Sequence, residues 1–172
     1  VANGYFERVL SEVRSETALL ADSAALLGAL TAETPDIAIA QLLAKAQGRQ
    51  TLDFINLRSP DGRLWHTAAG KAQAHIVSAT DASTTDDIGV AVLLPGQQHI
   101  LGEQASARVA VSLVPTRGAA PTQRVIEDRA LVLLSTRPVR DLQGRLLGHV
   151  QGGVLLNRNL AFIDHINEIV YP

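Results

Sequence analysis

The chain has 172 residues, 47% of them hydrophobic and 19% charged, with a formal net charge of −2. This size and composition fit one folded domain, or one domain and a long helix, and exclude disorder. The near-neutral charge gives no case for nucleic acid or for an anionic membrane surface, and the absence of cysteine excludes thiolate chemistry, disulfides and Cys-based zinc sites. A cysteine-free chain suits the periplasm and the cytosol alike. Methionine is absent too, even at position 1, so the chain is expected to be a mature form or a fragment of something longer. No run of about 18 apolar residues is present to span a membrane. Thirteen of the 15 basic residues are Arg, a bias read as codon usage before it is read as carboxylate or phosphate recognition.

Residues 5–31 read as one long helix. Phe6, Val13, Leu20 and Leu27 recur every seven, with Leu10, Thr17 and Ala24 on the companion seam. The seam is narrow at first, flanked by Glu7, Arg8, Glu12 and Arg14, and widens from Leu19 onward. A narrow seam suits a partner helix and a broad face suits a sheet, so one end is expected to stand clear and the other to be built in. Thr34-Pro-Asp36 starts a second helix, with a capping Thr and Pro at the first position, and this helix stops near Gly48. Leu52–Arg58 and Arg63–Ala68 read as a hairpin about the Ser59-Pro-Asp-Gly62 turn. Residues 69–105 carry the polar run 79–87 and the Leu94-Pro-Gly96 break, and read as short helices and loops over a binding face. Ala107–Pro115 reads as a strand, Ala130–Val139 and Arg145–Asn157 as a second hairpin, and Leu160–Val170 as an exit helix. The order predicts an α+β sandwich with a five-stranded antiparallel sheet.

The first hairpin carries Asp53-Phe-Ile-Asn-Leu-Arg-Ser-Pro-Asp-Gly-Arg-Leu64 and the second Arg137-Pro-Val-Arg-Asp-Leu-Gln-Gly-Arg-Leu-Leu-Gly148. With this element order they resemble the single Cache, PAS-like, extracytoplasmic sensor domains. The segments Gly152-Gly-Val-Leu-Leu-Asn-Arg-Asn159 and Ile163-Asp-His-Ile166 are similar to a subset of these carried by bacterial sensor histidine kinases. The resemblance covers nearly the whole chain and divides it into a signalling and dimerisation helix (1–33), the sensor domain (34–159) and the exit helix (160–172). It implies transmembrane segments before residue 1 and after Pro172, and a periplasmic location. It also implies a small ligand between sheet and insert, and a parallel homodimer along the first helix.

No catalytic motif appears. The five His residues (66, 75, 99, 149 and 165) lack the helical spacing of a zinc hydrolase, and a metal site from His66 and His75 is outweighed by solvated or structural roles. Asp81, Asp86 and Asp87 lack the ligand pattern of a calcium loop. Gly148, Gly152 and Gly153 do not follow dinucleotide spacing; they read as close backbone approach or a bulge, and the segment after them as a junction with the exit helix, capped by Asn159. No cofactor is implied. Trp65 reads as core.

Arg108 and Ser112 share a face of one predicted strand, and Ser135 and Arg137 a face of the next. Facing the insert, they would form a cationic pocket suited to a carboxylate, closed by His66 and Lys71. The alternative places the Arg residues on the outer face, paired with Asp128 or Asp141. The expected function is the periplasmic ligand-sensing domain of a histidine kinase, without catalysis of its own. A chemotaxis receptor or diguanylate cyclase is the related alternative. A small soluble enzyme and a purely structural dimerisation module are the alternatives in other classes.

Overall fold

The pattern read as one helix over 5–31 forms two. In the computed structural model, which describes residues 2–32, 35–49, 51–72, 87–114 and 122–160, α1 runs Ala2–Ala21 and α2 runs Ala24–Leu30. Ser23 makes the break. It is extended (φ −76°, ψ 133°), and its Oγ accepts from the Leu26 amide at 3.2 Å while donating to the Leu20 carbonyl at 2.8 Å. A serine that satisfies an otherwise unpaired first-turn amide favours a new helix start over an unbroken run. The helix α3, Pro35–Gln47, begins at the expected proline with Asp36 in its first turn, where a carboxylate complements the helix dipole. Thr34, expected to cap it, lies outside the described residues.

The strands are β1 (Phe54–Arg58), β2 (Leu64–Thr67), β3 (Gly70–Lys71) and β4 (Asp87–Leu93), then β5 (Val111–Ser112), β6 (Ile126–Glu127), β7 (Ala130–Arg140) and β8 (Leu146–Leu155). A 3-10 helix, Pro95–Ile100, and α4, Gly102–Ser106, lie between β4 and β5. The central sheet has six antiparallel strands in the order β3-β2-β1-β8-β7-β4, while β5 and β6 form a separate ribbon. Both predicted hairpins are present. Gly62 (φ +83°) and Gly144 (φ +80°) supply the left-handed backbone their turns require. Asp141 holds the second turn, its Oδ1 accepting from the amides of Gln143 (3.0 Å) and Arg145 (2.8 Å).

Two expectations about the sheet are corrected. Its strands number six, not five, and Ala107–Pro115 is not one of them. Residues 107–109 continue α4 as turns, the Arg108 amide donating to the Ala105 carbonyl at 3.0 Å and the Val109 amide to Ser106 at 3.2 Å. Only Val111 and Ser112 pair as strand, and in the side ribbon. The alternation over 107–115 is too short to outweigh these local bonds. The strand missed is β4, inside the region read as helical insert. It pairs with β7 along its whole length, from Asp87 opposite Thr136 to Leu93 opposite Ala130.

The two sheet faces are covered differently. On one, α1, α2 and α3 pack Val13, Leu20, Leu26, Ile39 and Leu43 against Ile55, Leu57, Val139 and Val150. Val13 and Thr17 are fully buried here, so from Val13 onward the seam expected to meet a partner helix is spent on the sheet. On the other face, the 3-10 helix and α4 pack Ile100, Leu101, Ala105 and Val109 against Phe54, Leu93, Val132 and Leu155. Trp65 packs against the helix-side core.

The Gly-rich segment belongs to a central strand, as the strand expected over Arg145–Asn157 required, and that strand ends at Leu155. Gly152 pairs with Ile55 and Ser135, and Gly153 with Phe54 and Leu134. Close approach, the other half of the expectation, is present. A Cβ on Gly152 would meet Leu52 Cδ1 at 3.0 Å and Thr17 Oγ1 at 3.1 Å, and one on Gly153 would meet the Phe54 ring at 2.6 Å. The exit helix beyond Leu160 lies outside the described residues.

Candidate functional site

Strand β1 is buried along its whole length, and its insert-facing side chains are Phe54, Asn56 and Arg58. Asn56 Nδ2 donates to the Ile100 carbonyl at 2.8 Å, which pins the end of the 3-10 helix over the strand. Between this strand, the end of α3, the β2–β3 turn and the insert lies a cavity of about 510 Å³, walled by Phe54, Asn56, Thr67, Ala68, Ile100 and Gln104 among others. Its lining mixes apolar surface with a few amide and hydroxyl groups, the usual make-up of a small-molecule pocket. A neighbouring cavity of about 400 Å³ shares Gln47 and Gln104 with it and reaches Asp53 and Arg108.

A row of buried polar side chains continues across the same face. Arg58 Nε donates to Gln151 Oε1 at 3.1 Å, Arg58 Nη1 to the Gly62 carbonyl at 2.9 Å, and Gln151 Nε2 to Thr136 Oγ1 at 3.3 Å. His149, opposite Arg58 in the β1–β8 ladder, is fully buried, with Nδ1 at 3.5 Å from the Ser59 carbonyl. Burial holds the His149 imidazole below its ordinary pKa, and the Arg58 and Arg140 guanidiniums push the same way against the Ser59 carbonyl. His99 is lowered too, mainly by burial.

A lowered histidine pKa makes protonation oppose folding. The stabilisation is complete above the unfolded-state pKa, about 6.5, and is lost as pH falls through the depressed folded-state value. Urea midpoints should therefore fall between pH 7.5 and 5.0, and His149→Gln should reduce that fall. An equal fall in wild type and variant would show that His149 is not its source.

The six residues expected to form one pocket do not converge. Arg108 comes nearest to expectation. It lies half-buried in the turn after α4, walls the second cavity and pairs with Asp53. Ser112 is exposed on the side ribbon. Ser135 and Arg137 share a face of β7 as predicted, but it is the helix-packed face: Ser135 is buried, and Arg137 Nη2 stands 3.6 Å from Asp22. His66 and Lys71 meet on that face as well, at Asp36 of α3, with Nε2 at 2.9 Å and Nζ at 3.1 Å from its carboxylate. Both bonds lower the Asp36 pKa. The pairings with Asp128 and Asp141 belong to Arg124 and Arg145 instead.

Sequence reasoning missed Asn56, Arg58, His149 and Gln151. The available signal was polar residues at alternate positions of strands that are otherwise apolar, a pattern that marks one face as special. Among the described residues no group of three or more His, Asp or Glu side chains is placed to hold a metal. His75, Asp81 and Asp86 lie outside them, as does the side chain of Asp87.

Comparison with known proteins places this geometry. The periplasmic domain of Vibrio cholerae LuxQ, a solved structure, superposes on 97% of the chain with a TM-score of 0.50 at 18% identity. The chain spans 66% of that protein's length. No curated protein sequence matches. Among the described residues no helix is long and apolar enough to cross a membrane. The family model for the LuxQ periplasmic domain matches residues 1–170. The chain therefore belongs to the LuxQ periplasmic-domain family.

Proposed function

We propose that the chain is the ligand-sensing domain of a membrane-bound two-component histidine kinase, of the single Cache, PAS-like type, held between flanking membrane segments. A small molecule binds between the sheet and the insert. The observation that carries this reading is the 510 Å³ cavity between β1 and the 3-10 helix, in a family of periplasmic sensor domains. The helices on the opposite face supply the route out. In the whole protein the first turns of α1, ahead of the buried Val13, form the parallel dimer contact. Ligand occupancy shifts α1 and the end of β8 by the order of 1–2 Å, which is sufficient to bias a two-state output at a packed interface.

Thermal-shift screening with organic acids, amino acids and purines tests the binding step. A ligand at about a hundredfold excess over its dissociation constant stabilises the native state by roughly 2.7 kcal/mol. Ala68→Trp, which fills the cavity from the β2–β3 turn, should abolish that shift. A screen without a hit, or a hit that Ala68→Trp leaves intact, would count against this cavity as the sensing site.

A further inference from the structure

Among the described residues, Arg58 is a buried cation without a counterion. It is 1% exposed, its Nε and Nη1 are used by Gln151 and the Gly62 carbonyl, and its Nη2 has no partner. Among the described residues no carboxylate pairs with it. Asp61, three residues on, bonds Ser59 and Arg63 instead. Burial pushes the Arg58 pKa down with no acidic neighbour opposing it. Directly across the β1–β8 ladder, the buried His149 leaves Nε2 unpartnered, and in the 3-10 helix His99 leaves a buried Nε2 unpartnered as well. Arg140 of β7 adds to the positive field at His149. The described groups that act electrostatically on this spot, from β1, β7, β8 and the 3-10 helix, are thus all basic.

Burying a guanidinium without a partner charge is strongly unfavourable, and an unused buried donor adds to the cost. Buried polar groups in native proteins are satisfied by protein, water or a bound species. Water would answer the donor but not the charge; an anion answers both. We propose that Arg58 is the anchor of an anion site, holding the oxyanion group (carboxylate or phosphate) of a small molecule on the insert-side face of the sheet; His149 is its second polar contact, donating from Nε2–H in the tautomer that gives up the 3.5 Å Nδ1 contact with the Ser59 carbonyl. Asn56, the next residue on that face and about 6.8 Å along the strand, walls the 510 Å³ cavity. The inference rests on the sensing reading and names its ligand class.

The test is a thermal-shift titration of the chain with acetate, succinate and inorganic phosphate at constant ionic strength. At least one should give a saturable rise. Arg58→Gln should weaken its apparent affinity by tenfold or more, while Arg145→Gln, in the exposed second turn, should leave it unchanged. If Arg58→Gln does not fold, nitrogen-15 NMR of the wild-type chain replaces it: the Arg58 Nε and His149 ring signals should move with one common midpoint. A flat wild-type response to all three anions, a rise that Arg58→Gln retains, or NMR signals that stay still would overturn the anion site. A neutral ligand whose stabilisation is lost in Ala68→Trp, with no response to anions, would overturn the anion site while leaving the sensing cavity standing.

Discussion

Replacing Gly153 by alanine is expected to lower the stability of the domain by about 3 kcal/mol, the upper end of what overpacking usually costs. The new methyl carbon would fall on the Leu133 carbonyl oxygen and stand 2.6 and 2.9 Å from two carbons of the Phe54 ring. The carbonyl belongs to the neighbouring strand and cannot swing aside. The ring is 1% exposed and packed in the insert-side core. For a chain of this length the loss corresponds to a fall of about 6–12 °C in Tm. Calorimetry of the variant checks it. A companion, Gly89→Ala on β4, should change little, because nothing lies within 4 Å of its added carbon. A Gly153→Ala protein as stable as wild type would mean that β7 and β8 are not packed this closely.

Asp53→Ala is expected to cost about 2 kcal/mol, for a different reason. The Asp53 carboxylate accepts from the amide of Leu155 at 2.8 Å and pairs with Arg108, while its backbone carbonyl accepts from Gln47 Nε2 at 2.8 Å. One residue therefore ties the start of β1 to the end of β8, to the end of α3 and to the turn after α4. Most of the cost comes from the Leu155 amide, which is left in a buried stretch without an acceptor. The ion pair, with both side chains partly exposed, contributes little. Arg108→Ala alone should thus cost under about 1 kcal/mol, and Asp53→Asn, which keeps an acceptor, should recover much of the loss. Urea unfolding of the three variants, with hydrogen exchange at the Leu155 amide, separates the two contributions. If Arg108→Ala matches Asp53→Ala, the ion pair and not the amide is the principal tie.

The parts of this fold that were legible in the sequence are those fixed by local chemistry. Ser59-Pro-Asp-Gly62 and Asp141-Leu-Gln-Gly144 announce turns because each needs a glycine with positive φ and an acidic side chain to organise it. Pro35 announces a helix start because its missing amide is no loss there. The α1–α2 break was legible in principle from Asp22-Ser23, but the heptad pattern runs straight through it. Strand β4 was missed although Ile88, Val90 and Val92 alternate with Gly89 and Ala91: it follows a polar run, and Val90 and Val92 of its large residues face solvent while the small ones face inward, the reverse of the usual pattern. The site was harder still. Ser135 and Arg137 were correctly placed on one face, yet nothing local says whether that face meets helices or the insert. His66 and Lys71 read as pocket groups until Asp36, 30 residues away from His66, claims both. Arg58 was hidden inside a hairpin recognised for its turn.

The glycines of β8 also set how thin the barrier is between the two halves of the molecule. Phe54 walls the 510 Å³ cavity and lies against Gly153, while Thr17 of α1 lies against Gly152 from the other side. At this point the partition between the cavity wall and the N-terminal helix is bare main chain, with no side chain to act as a cushion. A tilt of the Phe54 ring therefore presses on the strand itself, and directly behind the strand lie the Leu52 side chain and the Thr17 hydroxyl, which donates to the Val13 carbonyl inside α1 at 2.7 Å. Stiffness across this window, rather than leverage along the strand, is the mechanical property that small residues at positions 152 and 153 preserve.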